Sequence, residues 1–223
     1  MKCFKTRFFH YNTWYYGSST VSFNYSGFVD GWSNAGNLNL TPASTPSGTF
    51  TLGSSEQDVL DTQGNPSSIY YTTWYYDSST VSFNYSGFVD GWSNAGNLNL
   101  TPASTPSGTF TLGSSEQDVL DTQGNPSSIY YTTWYYDSST VSFNYSGFVD
   151  GWSNAGNLNL TPASTPSGTF TLGSSEQDVL DTQGNPSSIY YNTWYYGSST
   201  VSFNYSGFVD GWSNAGNLNI GAP

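Results

Sequence analysis

The sequence is dominated by an internal repeat of 60 residues. Residues 72–131 recur without a single change in residues 132–191, and residues 12–71 differ from them only by Asn in place of Thr72 and Gly in place of Asp77. A partial copy, with the same Asn and Gly, occupies the carboxyl end. A period of this length is typical of an array of supersecondary units rather than of one globular domain.

The boundary between repeats is predicted from the one stretch that is rich in Pro, Ser and Thr, residues 101–108. Such a stretch is typical of a linker or loop. Cutting the chain there predicts an amino-terminal half repeat and three repeats, which comprise residues 1–40, 41–100, 101–160 and 161–223.

Within each repeat the apolar residues alternate with polar ones, as in Val81, Phe83 and Tyr85. This period of two indicates half-buried strands, so the predicted fold class is all-β. The segment 129–136 is aromatic on both faces and is predicted to be one central strand, and Val119 with Leu120 a short further strand. No helical stripe of useful length is apparent.

Two architectures fit such tandem repeats. One is an array of small sandwich-like domains, and the other is a continuous stack, β-solenoid-like, in which each repeat covers the next. Because 60 residues make a small independent domain and because identical neighbours invite swapped pairing, the stack is the favoured interpretation.

The charge distribution excludes several classes of partner. The formal net charge is −12, and all basic residues (Lys2, Lys5 and Arg7) lie before residue 8. Binding to nucleic acid or to an anionic membrane requires Lys and Arg, so neither is expected. The sequence also has no apolar run of about 18 residues, so membrane insertion is not predicted.

An enzyme is not predicted either. The repeats contain no Lys, Arg, His or Cys, so no base is present to activate a serine or threonine nucleophile. The carboxylates alone define no catalytic site, and no cofactor is predicted apart from calcium. Glu116, Asp118 and Asp121, with their equivalents in the other repeats, offer the oxygen ligands that calcium prefers. The alternative is a solvated acidic loop that keeps the protein soluble.

A glycan is the other predicted ligand. Trp92, flanked by Asp90 and Asn94, has the residue types of a sugar-binding site, and Tyr75 with Tyr76 is a second aromatic candidate. The alternative places the tryptophan in the core, where large aromatic residues usually lie, and this interpretation is favoured. Repetition would make such a site multivalent.

The segment from Val119 to Pro126 resembles the V-x-D-x-x-G-N-P strand and turn of bacterial immunoglobulin-like adhesin repeats. The resemblance covers eight of the 60 residues in a repeat, and it implies a surface stalk or adhesin without catalytic residues.

Together these patterns predict a non-enzymatic structural protein of an extracellular fibre, matrix or surface adhesin. Unpaired strand edges at its ends are expected to join molecules into filaments, head to tail or laterally. The alternative function is multivalent carbohydrate binding. No signal peptide is recognisable, because residues 8–11 do not form an apolar segment after the basic residues.

Overall fold

The computed structural model describes residues 12–41, 45–102, 106–162 and 166–221. The protein is mostly β, as predicted, with antiparallel sheets of seven, four and four strands that recur with the repeat. Contacts divide the described residues into two compact units. The first runs to residue 102 and includes 128–131, and the second comprises 106–127 and 132–221.

The first compact unit contains eight strands and one helix, in the order β1 (Asn12–Tyr16), β2 (Ser19–Phe23), β3 (Val29–Ser33), α1 (Glu56–Gln63), β4 (Ser68–Tyr70), β5 (Thr73–Tyr76), β6 (Ser79–Phe83), β7 (Val89–Ser93) and β8 (Ser128–Tyr130). Strands β1 to β7 form one sheet in sequence order.

The second compact unit contains two helices and seven strands, in the order α2 (Glu116–Gln123), β9 (Thr133–Tyr136), β10 (Ser139–Phe143), β11 (Val149–Ser153), α3 (Glu176–Gln183), β12 (Ser188–Tyr190), β13 (Thr193–Tyr196), β14 (Ser199–Phe203) and β15 (Val209–Ser213). In this unit β11, β10 and β9 are neighbours in one sheet, and the other sheet has the order β12-β13-β14-β15.

The strand pairs follow the predicted alternation. Trp74 of β5 lies opposite Val81 of β6, and both side chains are buried. The next pair along, Tyr75 and Thr80, faces the other side of the sheet. Phe83 is also buried, whereas Tyr85 lies in the following turn and is fully exposed, so its predicted place in the strand is wrong. The sheet therefore has one apolar and one polar face.

The tight turn between β5 and β6 explains one of the two sequence differences between repeats. Asp77 has a φ of 54°, in the left-handed region, whereas the equivalent Gly17 and Gly197 have φ values of 66° and 63°. The first central position of such a two-residue hairpin turn favours glycine because a Cβ atom is strained there. The first and last copies thus carry the less strained residue.

A helix stands where a strand was predicted. Val119 and Leu120 lie in α2, which begins at a capping box: Ser115 Oγ accepts the Asp118 backbone N–H, and the Asp118 side chain accepts the Ser115 backbone N–H. Val119 is fully buried on the inner side of the helix. A capping box satisfies donors that the first helical turn leaves open, so this short segment becomes helical despite its weak apolar pattern.

The predicted single strand over residues 129–136 is also divided. β8 ends at Tyr130 and β9 begins at Thr133, with Tyr131 between them in the left-handed region at a φ of 52°. The turn at Tyr131 thus replaces the one predicted strand by two short strands.

The chain returns at the end of each repeat to the segment that precedes its helix. Phe50 and Leu100 form a parallel bridge, in which the Phe50 N–H donates to Asn99 O at 3.0 Å. Phe110 and Leu160 form the same bridge in the second compact unit. The repeat boundaries at residues 41, 101 and 161 stay a prediction.

Candidate functional site

The predicted calcium ligands all lie in α2. Asp118 is engaged in the capping box, and Asp121 accepts a hydrogen bond from Gln117 Nε2 at 2.9 Å on the helix surface. Among the described residues no group of three His, Cys, Asp or Glu side chains is arranged to hold a metal ion. The helix gives Asp118 and Asp121 separate hydrogen-bond partners, and calcium binding by Glu116, Asp118 and Asp121 stays a prediction.

Glu116 instead packs beside a neighbouring turn. Its carboxyl group lies against Gly147, where a Cβ atom would be 3.7 Å from the carboxylate carbon, and its backbone N–H donates to Gly147 O. Partial burial raises the pKa of Glu116 above the ordinary value, and it does the same for Glu176. Asp118 behaves in the opposite way, because the backbone and side-chain hydrogen bonds from Ser115 lower its pKa.

The structure places the three residues of the predicted sugar site around Trp92 in different environments. Trp92 lies in the core and is only 1% exposed, so its ring offers no face to a ligand. Asp90 is the extra residue of a β-bulge and accepts a hydrogen bond from Ser82 Oγ at 2.7 Å. Asn94 donates from Nδ2 to Ser78 O at 2.6 Å. Trp92 is thus the core residue of the alternative interpretation, and Tyr76, which donates its hydroxyl to Gly64 O, is buried as well.

Exposed tyrosines lie on the opposite face of the same sheet. Tyr75 points outward beside Ser68 and Thr80, which are its partners across the strands. Tyr70 and Tyr71 follow at the end of β4, where their ring centroids lie 4.6 Å apart and their planes meet at 81°. These exposed rings offer the open aromatic faces that the buried Trp92 does not.

Tyr71 is held in an unfavourable backbone conformation. Its φ is 52°, and its side chain is 74% exposed, so no core contact explains a bulky residue at this position. Tyr131 and Tyr191 repeat the same geometry with φ values of 52° and 51°. A strained and exposed aromatic residue is a reason to suspect a functional role.

A second candidate site is the outer edge of β15. In the second compact unit β12 lies beside β11, and three donors of the β11 end are satisfied there. Trp152 Nε1 donates to Pro186 O at 3.0 Å, the Asn154 N–H to Ser188 Oγ at 3.3 Å and the Ala155 N–H to Ser187 O at 3.0 Å. The edge of β11 is therefore a binding surface for a Pro-Ser-Ser segment and for the short strand that follows it.

At the outer edge of β15 the described residues include no such segment. Trp212, Asn214 and Ala215 are the equivalents of the three donor residues, but no acceptor for these donors lies in the part of the chain that the structure describes. Trp212 is half-buried, whereas Trp152 is buried, and Leu172 is 59% exposed, whereas its equivalent Leu112 is half-buried. The edge of β15 thus has hydrogen-bond donors without acceptors among the described residues, next to partly exposed apolar side chains.

A glycine in the edge strand allows the backbone of a neighbouring strand to approach closely. A Cβ atom at Gly151 would lie 3.3 Å from Ile189 O of β12, but a Cβ atom at Gly211 would meet only Ser202 Oγ, at 3.0 Å. Unpaired strand edges were expected, but the sequence does not single out β15, because the V-D-G-W-S segment recurs unchanged in every copy. Glycine in a strand often marks a close backbone approach.

Among the described residues no helix is long and apolar enough to span a membrane. Comparisons with protein-family models, with curated proteins and with solved structures found no match.

Proposed function

We propose that the chain is a non-enzymatic structural repeat protein of an extracellular fibre, matrix or adhesin, and that its molecules join through the outer edge of β15. The observation that carries this proposal is the outer edge of β15, where the described residues include no neighbouring segment. The donors of Trp152, Asn154 and Ala155 are hydrogen-bonded to the neighbouring segment. The equivalent donors of Trp212, Asn214 and Ala215 have no acceptor among the described residues.

The chemistry of the edge supports strand addition. An incoming strand gains backbone hydrogen bonds from the open donors, and its apolar side chains cover Trp212. Edge strands that natural proteins protect carry charges, prolines or covering loops. The edge strand β15 has only Asp210, which already accepts a hydrogen bond from Ser202 Oγ at 2.7 Å. The edge is therefore open to pairing with another molecule.

A substitution at Gly211 tests this proposal. In the variant Ser202→Ala/Gly211→Val, removal of the hydroxyl group makes room for the new side chain within the molecule. The valine still occupies the space that an incoming carbonyl needs, as Ile189 O shows beside Gly151. We expect Ser202→Ala alone to form filaments like the parent chain in electron micrographs and the double variant to form none.

The controls separate assembly from folding. Circular dichroism and the unfolding midpoint of the double variant should match those of Ser202→Ala. Trp212→Phe, which keeps an aromatic ring at this position but removes the Nε1–H donor, should shorten the filaments. If the double variant is folded and still assembles as the parent does, the proposed edge is wrong.

The second candidate function is multivalent glycan binding on the exposed tyrosines. It is favoured by Tyr71, which stays exposed on a strained backbone beside Tyr70. A glycan array with Tyr71→Asn, which suits the left-handed conformation, tests it. Loss of binding together with a higher unfolding midpoint supports this function, and an array with no bound glycan contradicts it.

A further inference from the structure

The amino-terminal half repeat contains an open groove. It has a volume of about 800 Å³ and is lined by residues of β1 to β3 and of the segment after them, namely Tyr16, Gly17, Val21, Val29, Trp32, Asn37, Leu38, Asn39 and Leu40. Its wall is largely apolar, and Asn37 and Asn39 are its amide-bearing residues.

The same residues are covered in the next repeat. Residues 12–40 and 72–100 have the same sequence apart from the positions of Asn12 and Gly17. Val89 is 3% exposed, but its equivalent Val29 is 52% exposed. Trp92 and Leu98 are buried, whereas Trp32 and Leu38 are half-buried.

The cover in the full repeat is the segment that leads into and through α1. Phe50 and Val59 are 1% and 0% exposed, and they are the large apolar side chains that this segment buries. Val89 is also tied to the segment through its backbone, since its N–H donates to Ser54 O at 2.8 Å and its carbonyl accepts from the Gly53 N–H at 2.9 Å.

Polar contacts fix the segment in register. Asn99 donates its backbone N–H to Gln63 Oε1 at 2.8 Å and its Nδ2 to Thr62 O at 2.7 Å, and Gln63 Nε2 donates to Asn97 O at 3.0 Å. In the half repeat the equivalent backbone and side-chain donors of Asn39 have no acceptor among the described residues. The half repeat thus has the apolar wall and the polar groups that hold the helix segment in the full repeat, without such a segment among the described residues.

We infer that this groove binds, from another polypeptide, a segment with the sequence of residues 45–66 of the repeat. The occupant places the equivalent of Phe50 and Val59 against Val29, Trp32 and Leu38, and its glutamine and threonine meet Asn39. This site lies at the opposite end of the sequence from β15 and does not depend on the assembly proposed there.

The test uses a fluorescent peptide with the sequence of residues 45–66, TPSGTFTLGSSEQDVLDTQGNP, and the full chain. Fluorescence anisotropy should show saturable binding of one peptide per chain. The same peptide with Phe50→Asp and Val59→Asp should bind at least about tenfold more weakly, because charge would enter the apolar wall.

Two changes in the full chain serve as matched controls. Val29→Asp alters an exposed side chain, so it should leave the fold intact while weakening peptide binding by about tenfold. A chain in which residues 1–11 are replaced by residues 41–71 has its groove filled from within, and it should not bind the peptide.

Three results would overturn the inference. One is the absence of saturable binding to the parent chain at millimolar peptide. Another is equal binding to the filled chain, which would mean that the peptide exchanges with a helix segment elsewhere. The third is binding that appears only after deletion of residues 1–11, which would identify those residues as the occupant.

Discussion

Val29 and Val89 occupy the same position in two copies of one sequence, yet 52% of the Val29 side chain is exposed and only 3% of Val89. The difference arises from the segment containing Phe50, which covers Val89 and has no counterpart over Val29 among the described residues. Each copy is therefore stabilised by its context as well as by its own residues, as is typical of repeat arrays.

This pair of valines provides the first prediction. Val89→Ala should lower the free energy of unfolding by about 2 kcal/mol, because it leaves a cavity in a packed core. Val29→Ala should change it by less than about 0.5 kcal/mol, because it removes an exposed side chain. Chemical denaturation of both variants measures the difference, and equal losses would show that Val29 is packed in solution.

The turn at Asp137 provides the second prediction. Its φ of 53° lies in the region that glycine adopts at no cost, and Gly197 occupies the equivalent position at 63°. Asp137→Gly should raise the unfolding midpoint, with a gain of about 1 kcal/mol that relief of the left-handed strain provides. Gly197→Asp should lower it by a similar amount. A lower midpoint for Asp137→Gly would contradict the role assigned to this turn.

The helix start provides a pair of opposite pH effects. Hydrogen bonds from Ser115 lower the pKa of Asp118 below its ordinary value of 3.8, so its stabilising effect is present above that value and is lost as the pH falls through the lowered pKa. Burial raises the pKa of Glu116 above 4.5, so stability is lost as the pH rises from 4.5 through the raised pKa.

Replacement of both groups by amides tests these signs. Asp118→Asn should reduce the loss of stability as the pH falls below 3.8. Glu116→Gln should reduce the loss of stability as the pH rises above 4.5. Thermal unfolding between about pH 2 and 7 measures both effects. Variants whose midpoints follow the pH in the same way as that of the parent chain would show that these carboxyl groups do not titrate as assigned.

The buried tyrosines provide a prediction in alkali. Burial raises the pKa of Tyr136, whose hydroxyl donates to Gly124 O at 3.0 Å, above the ordinary value of 10.0. The stability that its neutral form contributes is therefore complete below pH 10 and is lost as the pH rises through the raised pKa. Absorbance at the phenolate band should show a phase above pH 10 that coincides with unfolding. A single phase centred on the ordinary pKa would contradict the burial of Tyr136.

The sequence predicted the sheets better than it predicted the helix. The alternation of Val81 and Phe83 with polar residues correctly indicates a strand with one buried face. The helix was missed because Val119 and Leu120 are too few to show a helical period, although Ser115 and Asp118 have the spacing of a capping box. The position of Tyr131 could not be predicted from a strand pattern, because a left-handed tyrosine contradicts local preference.

The candidate sites were harder to predict, for a different physical reason. The sequence around Trp92 is the same whether the ring faces a ligand or the core, and only the sheet places it inside. The open edge at Trp212 and the groove at Val29 cannot be read from residues that are repeated elsewhere in a covered state. They depend on which other described residues cover each copy.

The central claim is that the outer edge of β15 joins one molecule to the next. The most direct measurement is the molar mass of the purified parent chain by light scattering over a wide range of concentrations. Our account predicts a mass that rises with concentration above the 24.2 kDa of one chain, and no rise for Ser202→Ala/Gly211→Val. A parent chain that stays at 24.2 kDa at the highest concentration would contradict it.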